Sequence, residues 1–294
     1  MIKNLLQNEK EIEIVKRLTG IKDNSRISMS EIGWTSRVYI IDNGKFVFKF
    51  PRNEKFRKEC KQEVTILELL KKNKFGVSTP ILNWTTEENT YFGFYGVVGK
   101  PLGEIIETLN DEQKISIGTQ LGIFVKQLHS IKDYSNIKSQ TLDKQAAEYF
   151  EMYQKDRGLL EAYFDEPELN VIDDFFVYEV PKSMTGSGEL VFCHGDLDYN
   201  NTLINDKNQV GVIDFGDAGL YDRSQDFRGM DDGTLREAMI KAYGSGEIIS
   251  KAAAETTSKM IDVLNLLYCI RNRGLKETNE CIDRIRKRLL RFTE

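Results

Sequence analysis

A histidine, a glycine and an aspartate interrupt an apolar run, and an asparagine follows the aspartate five residues later. The segment reads VFCHGDLDYNNTLI over residues 191–204, and Asp214 ends another apolar run thirteen residues after Asn201. Asp196, Asn201 and Asp214 therefore offer three side-chain oxygens on adjacent short strands and loops. Such ligands suit Mg²⁺, which proteins hold with one or two carboxylates together with substrate phosphates. The pattern indicates phosphoryl transfer, in which a metal ion neutralises phosphate charge while an acceptor hydroxyl is held in line.

A lysine in the first part of the chain is the candidate cation for the other phosphates. Lys49 lies within the apolar run FVFKF, where a charged side chain is costly unless it is paired. Glu63 follows Cys60 by three residues and precedes Leu67 by four, so it shares their inward helical face. The sequence therefore predicts an ion pair between Lys49 and Glu63.

The elements that must position these residues begin with a β-rich region. Residues 27–42 and 44–50 alternate in polarity and are rich in β-branched and aromatic residues, and Asn43-Gly44 is a hairpin signal. Apolar residues then recur every three to four positions from 56 to 70, which predicts an amphipathic helix. Strand-like residues return at 89–99. This region reads as a small β-rich lobe with one main helix.

After Pro101 the chain becomes mostly helical. Asn110 and Gln113 have the spacing of a capping box in front of an amphipathic helix. Residues 190–216 are the exception, because short apolar runs there alternate with loops. Further helices are predicted over 142–162, 165–179, 234–243, 249–273 and 276–292. We therefore predict an α+β fold with an N-terminal lobe at 1–94, a hinge at 95–99 and a larger, mostly helical C-terminal lobe at 100–294.

Charge and composition restrict the classes of partner. The net charge is −5, but residues 140–235 carry seven basic against 21 acidic side chains. A concentrated acidic segment argues against a nucleic-acid partner and favours a cationic one, although a solvated acidic surface is the simpler interpretation. The four cysteines are widely spaced without a CxxC pair, which fits a reducing cytoplasm. We see no signal peptide and no membrane span, and we expect a monomer.

The order of these motifs resembles a known family. Lys49, Glu63, HGDxxxxN and IDFG follow one another as in the protein-kinase-like fold, in its antibiotic-kinase branch, with HGD where protein kinases carry HRD. The segments FKFPR (48–52) and VIDFGDAGLYDRSQDF (212–227) are similar to aminoglycoside phosphotransferases, especially the 2″ type. The resemblance covers about residues 30–230. It implies a two-lobed kinase fold that transfers the γ-phosphoryl group of ATP or GTP to an aminoglycoside hydroxyl and so confers antibiotic resistance.

The resemblance also implies roles for the reactive residues. Asp196 would accept or orient the proton of the acceptor hydroxyl. Asn201 and Asp214 would bind Mg²⁺. Lys49 would bind the α- and β-phosphates, and Glu63 would hold Lys49 in place.

Two further segments would hold the nucleotide. The loop of residues 33–36, which ends at Ser36, would cover the phosphates with a single glycine instead of a full GxGxxG. The backbone from Tyr95 to Val97 would read the base, with Phe94 before it as a gate. The preference between ATP and GTP stays open.

The remaining polar residues are assigned to substrate or to structure. Asp198, Asp217 and Glu237 are candidate contacts for substrate amines, and Asp217 has loop capping as its alternative. We expect His194 to brace the loop and not to act as a base. We expect Asp226 to anchor loop backbone, and His129 to cap a helix or to lie at the surface.

Two other functions compete with the aminoglycoside hypothesis. One is a kinase of another small alcohol on the same fold, such as choline, a sugar, homoserine or a macrolide. The other is a catalytically silent protein that uses the fold to bind a nucleotide. The complete set of reactive side chains argues against the second.

Overall fold

The computed structural model of the chain describes residues 2–30, 35–132, 134, 137–185, 189–244 and 249–290. Its first region forms a five-stranded antiparallel sheet in the order β1-β2-β3-β5-β4. The predicted hairpin is present, and its turn places Asn43 and Gly44 at positive φ values of 55° and 88°. The strands are β1 (Ile27–Ser30), β2 (Ser36–Ile41), β3 (Phe46–Pro51), β4 (Ile81–Thr85) and β5 (Phe92–Tyr95).

The predicted helix of this lobe is α2 (Glu54–Lys71). It begins at Asn53, whose side chain accepts a hydrogen bond from the backbone N–H of Phe56. Its inward face buries Cys60, Glu63 and Leu67, as the apolar spacing predicted. The helix therefore carries Glu63 to the same side of the sheet as the lysine of β3.

A second helix, α1 (Ile2–Thr19), was not predicted. Arg37 of β2 donates two hydrogen bonds, of 2.8 and 2.6 Å, to the buried carboxylate of Glu11, which also accepts one from the Tyr39 hydroxyl. A buried charge is tolerated only when it is paired in this way. The expectation of one main helix was incomplete: α1 packs Ile12, Val15 and Leu18 against the core of the sheet, and the ion pair across 26 positions anchors it further.

The second region is mostly helical, so the predicted α+β organisation of a sheet lobe followed by a helical lobe is confirmed. The capping box of Asn110 and Gln113 is formed in both directions at the start of α4. None of the helices in the described part of the chain is both long and apolar enough to cross a membrane. The helices are α3 (Leu102–Ile105), α4 (Asp111–His129), α5 (Leu142–Asp156), α6 (Glu166–Asp174), α7 (Val180–Ser183), α8 (Gly233–Tyr243), α9 (Lys251–Asn272) and α10 (Leu275–Arg288).

Short strands interrupt the helical lobe where the sequence analysis placed alternating apolar runs and loops. β7 (Val191–Cys193) pairs with β10 (Gly219–Tyr221), and β6 (Lys100–Pro101) pairs with β8 (Thr202–Ile204), which pairs with β9 (Val210–Val212). Thr202 lies opposite Val212 in the β8–β9 ribbon. The residue before β8 and the residues after β9 therefore lie at the same end of this ribbon.

The connection that leads into β4 is joined to β9. The Ser78 N–H donates to the Val210 carbonyl at 3.0 Å, and the Val212 N–H donates to the Ser78 carbonyl at 2.9 Å. Gly211 lies between these bonds, and a Cβ there would come within 2.1 Å of the Val97 side chain. The small residue allows the segment after the sheet lobe to approach β9 closely, which fixes the two regions against each other.

Candidate active site

Asp196 lies in the loop between β7 and β8, and its side chain is 41% exposed. Its Oδ2 accepts a 3.2 Å hydrogen bond from Asn201 Nδ2, and its Oδ1 accepts a 2.8 Å hydrogen bond from Arg228 Nη2. Gly195 has φ 86°, and a Cβ there would come within 2.2 Å of the Asp217 carbonyl oxygen. The loop therefore depends on a glycine at this position, and it presents an oriented carboxylate to solvent.

Asp226 anchors the backbone of this loop, as expected from the sequence. Its fully buried carboxylate accepts hydrogen bonds of 2.9 Å from the N–H groups of His194 and Gly195. Burial by itself would raise the pKa of Asp226, but the hydrogen bonds to this carboxylate, above all that with His129, keep its pKa below the ordinary value. An ionised carboxylate thus holds two backbone donors of the loop that carries Asp196.

His194 braces the loop from the other side. Its Nδ1 accepts the Asp196 N–H at 3.2 Å, so this nitrogen carries no proton. Nε2 is therefore the protonated nitrogen, and it donates to the Ile213 carbonyl at 2.9 Å. Both ring nitrogens are occupied by backbone groups, which agrees with a structural role and leaves none for proton abstraction.

The expectation that His129 caps a helix or lies at the surface is wrong. Its side chain is 3% exposed, with Nδ1 3.1 Å from the Tyr243 hydroxyl and Nε2 3.1 Å from Asp226. The end of α4 is covered by α8, which carries Tyr243, and the imidazole therefore points into the core. His129, Cys193 and Asp226 form a buried cluster, and burial raises the pKa of the Cys193 thiol well above its ordinary value.

The candidate metal ligands lie together at one end of the β8–β9 ribbon. The Ile213 N–H donates to the Asn201 carbonyl at 3.0 Å, which places Asn201 beside the residues that follow β9. Asp214 adopts the left-handed conformation, with φ 62° and ψ 70°. The charge of Lys49 holds the pKa of Asp214 below its ordinary value despite desolvation, so its carboxylate is ionised.

The chemistry of these donors fits Mg²⁺. Asn201 Nδ2 donates to the Asp196 carbonyl at 2.8 Å, so the amide nitrogen is occupied and the amide oxygen is the atom available to a metal. Together with the Asp214 carboxylate this gives two hard oxygen ligands, and Mg²⁺ takes its remaining ligands from water and phosphate. Asn201 and Asp214 are therefore suited to hold the ion.

Lys49 joins the sheet lobe to this site. Its Nζ donates to Glu63 Oε1 at 2.7 Å and to Asp214 Oδ1 at 2.9 Å, and the side chain is 14% exposed. Burial by itself would lower the pKa of Lys49, but the two carboxylates outweigh burial and raise it. Burial raises the pKa of Glu63, and Lys49 opposes that effect. The predicted Lys49–Glu63 ion pair is present, and it extends to Asp214.

The structure describes only some of the residues expected to hold the nucleotide. Gly33 and Trp34 lie outside the described residues. Ser36 begins β2, and its 2% exposed side chain places Oγ 3.4 Å from the Cys60 thiol, against α2. A contact between Ser36 and phosphate therefore stays a prediction.

The segment after β5 has a defined backbone. Phe94 is 6% exposed and packs in the core beside Phe92, with ring centroids 6.1 Å apart. Tyr95 is 41% exposed, and the Gly96 N–H next to it donates to the Lys45 carbonyl at 3.0 Å. Phe94 directly precedes this exposed connection, but its ring packs in the core. Its role as a gate of the base pocket stays a prediction.

The candidate amine contacts differ in their surroundings. Asp198 Oδ1 accepts the N–H groups of Asn200 and Asn201 at 2.8 and 2.9 Å, so this carboxylate shapes the loop. Desolvation and the nearby charge of Asp196 raise the pKa of Asp198 and of Asp217. Glu237 lies on the exposed face of α8, and no contact of the described residues joins it to the loop that carries Asp196.

Sequence reasoning missed Arg228. Its side chain is 9% exposed, and Nη2 donates to the Gly195 carbonyl at 3.0 Å as well as to Asp196. The available signal was one of seven basic residues in a segment that holds 21 acidic ones, two positions after the anchoring Asp226. That signal does not identify a partner, because the contact spans 32 positions.

A sheet lobe that supplies a lysine–glutamate pair, joined to a helical lobe that supplies HGDxxxxN and IDFG loops, defines the class of kinase-like phosphotransferases. A family model described as the phosphotransferase enzyme family, APH, matches residues 30–249. The chain belongs to this family.

Solved structures of antibiotic kinases have the same fold. The GDP and kanamycin complex of APH(2″)-IIIa has a TM-score of 0.77 and 18% identity, with 95% of this chain and 97% of that chain covered. The gentamicin complex of APH(2″)-IIa has a TM-score of 0.69 and 18% identity, with 97% and 96% covered. Macrolide 2′-phosphotransferase MphH from Brachybacterium faecium has a TM-score of 0.64 and 16% identity, with 95% and 98% covered. These similarities confirm the predicted kinase-like two-lobe fold.

Proposed function

We propose that this phosphotransferase moves the γ-phosphoryl group of ATP or GTP to a hydroxyl of an aminoglycoside, at the 2″ position. The observation that carries the proposal is the continuous series of contacts from Lys49 through Asp214 and Asn201 to Asp196. Lys49 is hydrogen-bonded to Asp214, the backbone beside Asp214 to Asn201, and the Asn201 amide to Asp196. A phosphate-binding cation, two oxygen ligands and an oriented carboxylate thus meet where the two lobes join.

Each residue has a role that its surroundings support. The exposed carboxylate of Asp196 accepts or orients the proton of the acceptor hydroxyl, since its two oxygens are already aligned by Asn201 and Arg228. Lys49 binds the α- and β-phosphates, and the buried Glu63 holds the ammonium in place. Asn201 and Asp214 hold Mg²⁺, which neutralises charge on the phosphate oxygens when it is bound.

The nucleotide occupies the space between the sheet lobe and the β8–β9 ribbon. The backbone from Tyr95 to Val97 reads the base beside Phe94, and residues 95–99 serve as the hinge between residues 1–94 and 100–294. Ser36 contributes to the cover over the phosphates. Complexes of related folds with GDP and with ATP support both nucleotides as donors.

The acceptor is a polycation held by the acidic part of the helical lobe. Desolvation and the charge of Asp196 disfavour the ionised forms of Asp198 and Asp217 and so raise their pKa values. Substrate ammonium groups would stabilise these carboxylates in the ionised form. Glu237, on the exposed face of α8, is the third candidate contact. The neighbours in complex with kanamycin and gentamicin support this substrate class. We place the enzyme in the cytoplasm, as a monomer that confers aminoglycoside resistance and has no nucleic-acid or membrane partner.

A second candidate function is phosphorylation of another small alcohol. The fold shared with a macrolide 2′-phosphotransferase favours a macrolide within this group. The acidic segment distinguishes the two candidates, because a macrolide offers fewer ammonium groups to pair with several carboxylates than an aminoglycoside does.

Steady-state turnover on a panel of acceptors tests the proposal. The panel contains several aminoglycosides, a macrolide, choline and homoserine, each with ATP and with GTP. We expect Mg²⁺-dependent phosphorylation of aminoglycosides, located at the 2″-hydroxyl by NMR of the product, and a loss of about 10²–10⁴ in kcat for Asp196→Ala. Transfer to a macrolide or choline alone would overturn the substrate class, and the absence of transfer to every acceptor would favour a silent nucleotide-binding protein.

A further inference from the structure

We propose that Arg228 is a positioning residue for phosphoryl transfer, which fixes the carboxylate of Asp196 in the orientation that the acceptor hydroxyl requires. The inference rests on the proposed function, because it assigns Arg228 to the site where Asp196 acts. The geometry is direct: one nitrogen, Nη2, donates to Asp196 Oδ1 at 2.8 Å and to the Gly195 carbonyl at 3.0 Å. A single guanidinium nitrogen thus holds the side chain of the reactive residue and the backbone immediately before it.

The guanidinium has few other protein partners. The Arg228 side chain is 9% exposed, and its Nε is buried without an acceptor among the described residues. Desolvating a guanidinium is costly unless a negative group compensates for it. In the described part of the chain, Asp196 is the charged partner of Arg228. The Asp196 carboxylate therefore compensates for the cost of burying the guanidinium.

Both carboxylate oxygens of Asp196 therefore accept a hydrogen bond. Asn201 Nδ2 donates to Oδ2 at 3.2 Å while Arg228 occupies Oδ1, so rotation of the carboxylate about its Cβ–Cγ bond breaks both hydrogen bonds. The Gly195 carbonyl is also doubly held, because Gln225 Nε2 donates to it at 2.8 Å. Misplacement of a catalytic group by about 1 Å costs roughly 10²-fold in rate. A carboxylate with two fixed oxygens is already in place when the substrate binds.

The same short turn braces the loop at two points. The 3₁₀ helix Arg223–Phe227 contains Asp226, which holds the N–H groups of His194 and Gly195, and it leads directly into Arg228. Asp226 therefore fixes the backbone of the loop, and Arg228 fixes the reactive side chain. A variant at Arg228 leaves the hydrogen bonds of Asp226 to the loop backbone intact, and Gln225 still donates to the Gly195 carbonyl.

The charge of Arg228 also offsets the negative charge around Asp196. Asp198 follows Asp196 by two residues in the same loop, and the Asp217 backbone packs against Gly195, so two further acidic residues lie near the Asp196 carboxylate. Without the guanidinium, Asp196 would be free to turn away from its two acidic neighbours. Loss of Arg228 should therefore reduce the rate of transfer more than the binding of nucleotide, whose cation is Lys49.

The test compares Arg228→Ala and Arg228→Lys with Arg288→Ala. Arg288 is a matched control, because it is a partly buried arginine that pairs with Asp262 and is distant in sequence from the catalytic loop. We expect Arg228→Ala to lower kcat about 10- to 100-fold with little change in the KM for the triphosphate, and Arg228→Lys to fall between it and wild type. Millimolar guanidinium should restore part of the lost rate in Arg228→Ala but none in Asp196→Ala, since the exposed Asp196 carboxylate leaves a path to the vacated space. Arg288→Ala should keep the wild-type kcat.

Three results would overturn the proposal. They are an unchanged kcat in Arg228→Ala, a joint loss of kcat and nucleotide affinity, and a loss of kcat that guanidinium does not restore. Failure of the proposed function is seen separately, as a wild-type enzyme that phosphorylates no acceptor in the panel. In that event a crystal structure of Arg228→Ala decides: a rotated Asp196 carboxylate supports the positioning role, and an unmoved one contradicts it.

Discussion

Lys49 and Asp214 are 165 positions apart in the sequence, and a 2.9 Å hydrogen bond joins their side chains. Lys49 belongs to the sheet lobe, on β3, and Asp214 follows β9 in the helical lobe. Glu63 binds the same ammonium from α2, so three elements meet at one cation. This contact connects the proposed phosphate-binding group with the proposed metal ligand, and it joins the sheet lobe to the helical lobe.

Replacement of Lys49 by alanine should weaken nucleotide binding. The loss of a charge-assisted hydrogen bond to phosphate costs about 1.5–3 kcal/mol, which corresponds to a KM for the triphosphate roughly 10- to 100-fold higher. Glu63→Gln keeps a hydrogen-bonding partner for Lys49 and should produce a smaller effect. Steady-state kinetics with varied triphosphate measures both, and an unchanged KM in Lys49→Ala would remove this residue from the phosphate site.

Loss of a metal ligand should raise the Mg²⁺ requirement. Chelation with EDTA should abolish turnover, and added Mg²⁺ should restore it. Asn201→Ala should need more Mg²⁺ than wild type for half-maximal rate, because one of two oxygen ligands is gone. Asp217→Asn is the control, since it removes a nearby carboxylate that is not a proposed ligand. If Asp217→Asn shifts the Mg²⁺ titration as far as Asn201→Ala does, the ligand assignment is wrong.

The stability of the catalytic loop should depend on pH through Asp226. Its pKa is lowered in the folded protein, so its contribution is present above the unfolded value of about 3.9 and is lost as the pH falls through the lower folded value. Asp226→Asn should cost about 3–5 kcal/mol at neutral pH, because buried donors lose their charged partner. Urea unfolding between pH 7 and about pH 2 measures the difference, which should stay constant down to about pH 4 and shrink below it. A difference that grows with acidity would contradict this sign.

Close packing of α4 on α8 should make Gly118 intolerant of a side chain. A Cβ at Gly118 would lie 2.3 Å from the backbone oxygen of Leu235, which cannot move without shifting α8. We expect Gly118→Ala to destabilise the protein by about 1–3 kcal/mol, although alanine is the better helix former. Gly158→Ala has open space around its Cβ and should change stability by less than about 1 kcal/mol. Equal melting temperatures for the two variants would show that the helices adjust.

The sequence predicted the local features of the site well. The hairpin at Asn43-Gly44, the helix that carries Glu63 and the capping box at Asn110 each follow from residues that are neighbours in the chain. The pairing of Lys49 with Glu63 was also predictable, because a charged residue inside an apolar strand requires a partner and the next helix offers an inward carboxylate.

Only the tertiary structure determined the contacts between residues that no local sequence pattern connects. Arg228 reaches Asp196 across 32 positions, His129 reaches Asp226 across 97, and Arg37 fixes Glu11 of an unpredicted helix across 26. Each contact joins two polar groups that would be equally acceptable in solvent, so neither residue alone indicates that it is buried. Periodicity shows which face of an element turns inward, but the partner of a buried charge depends on how the chain brings distant elements together.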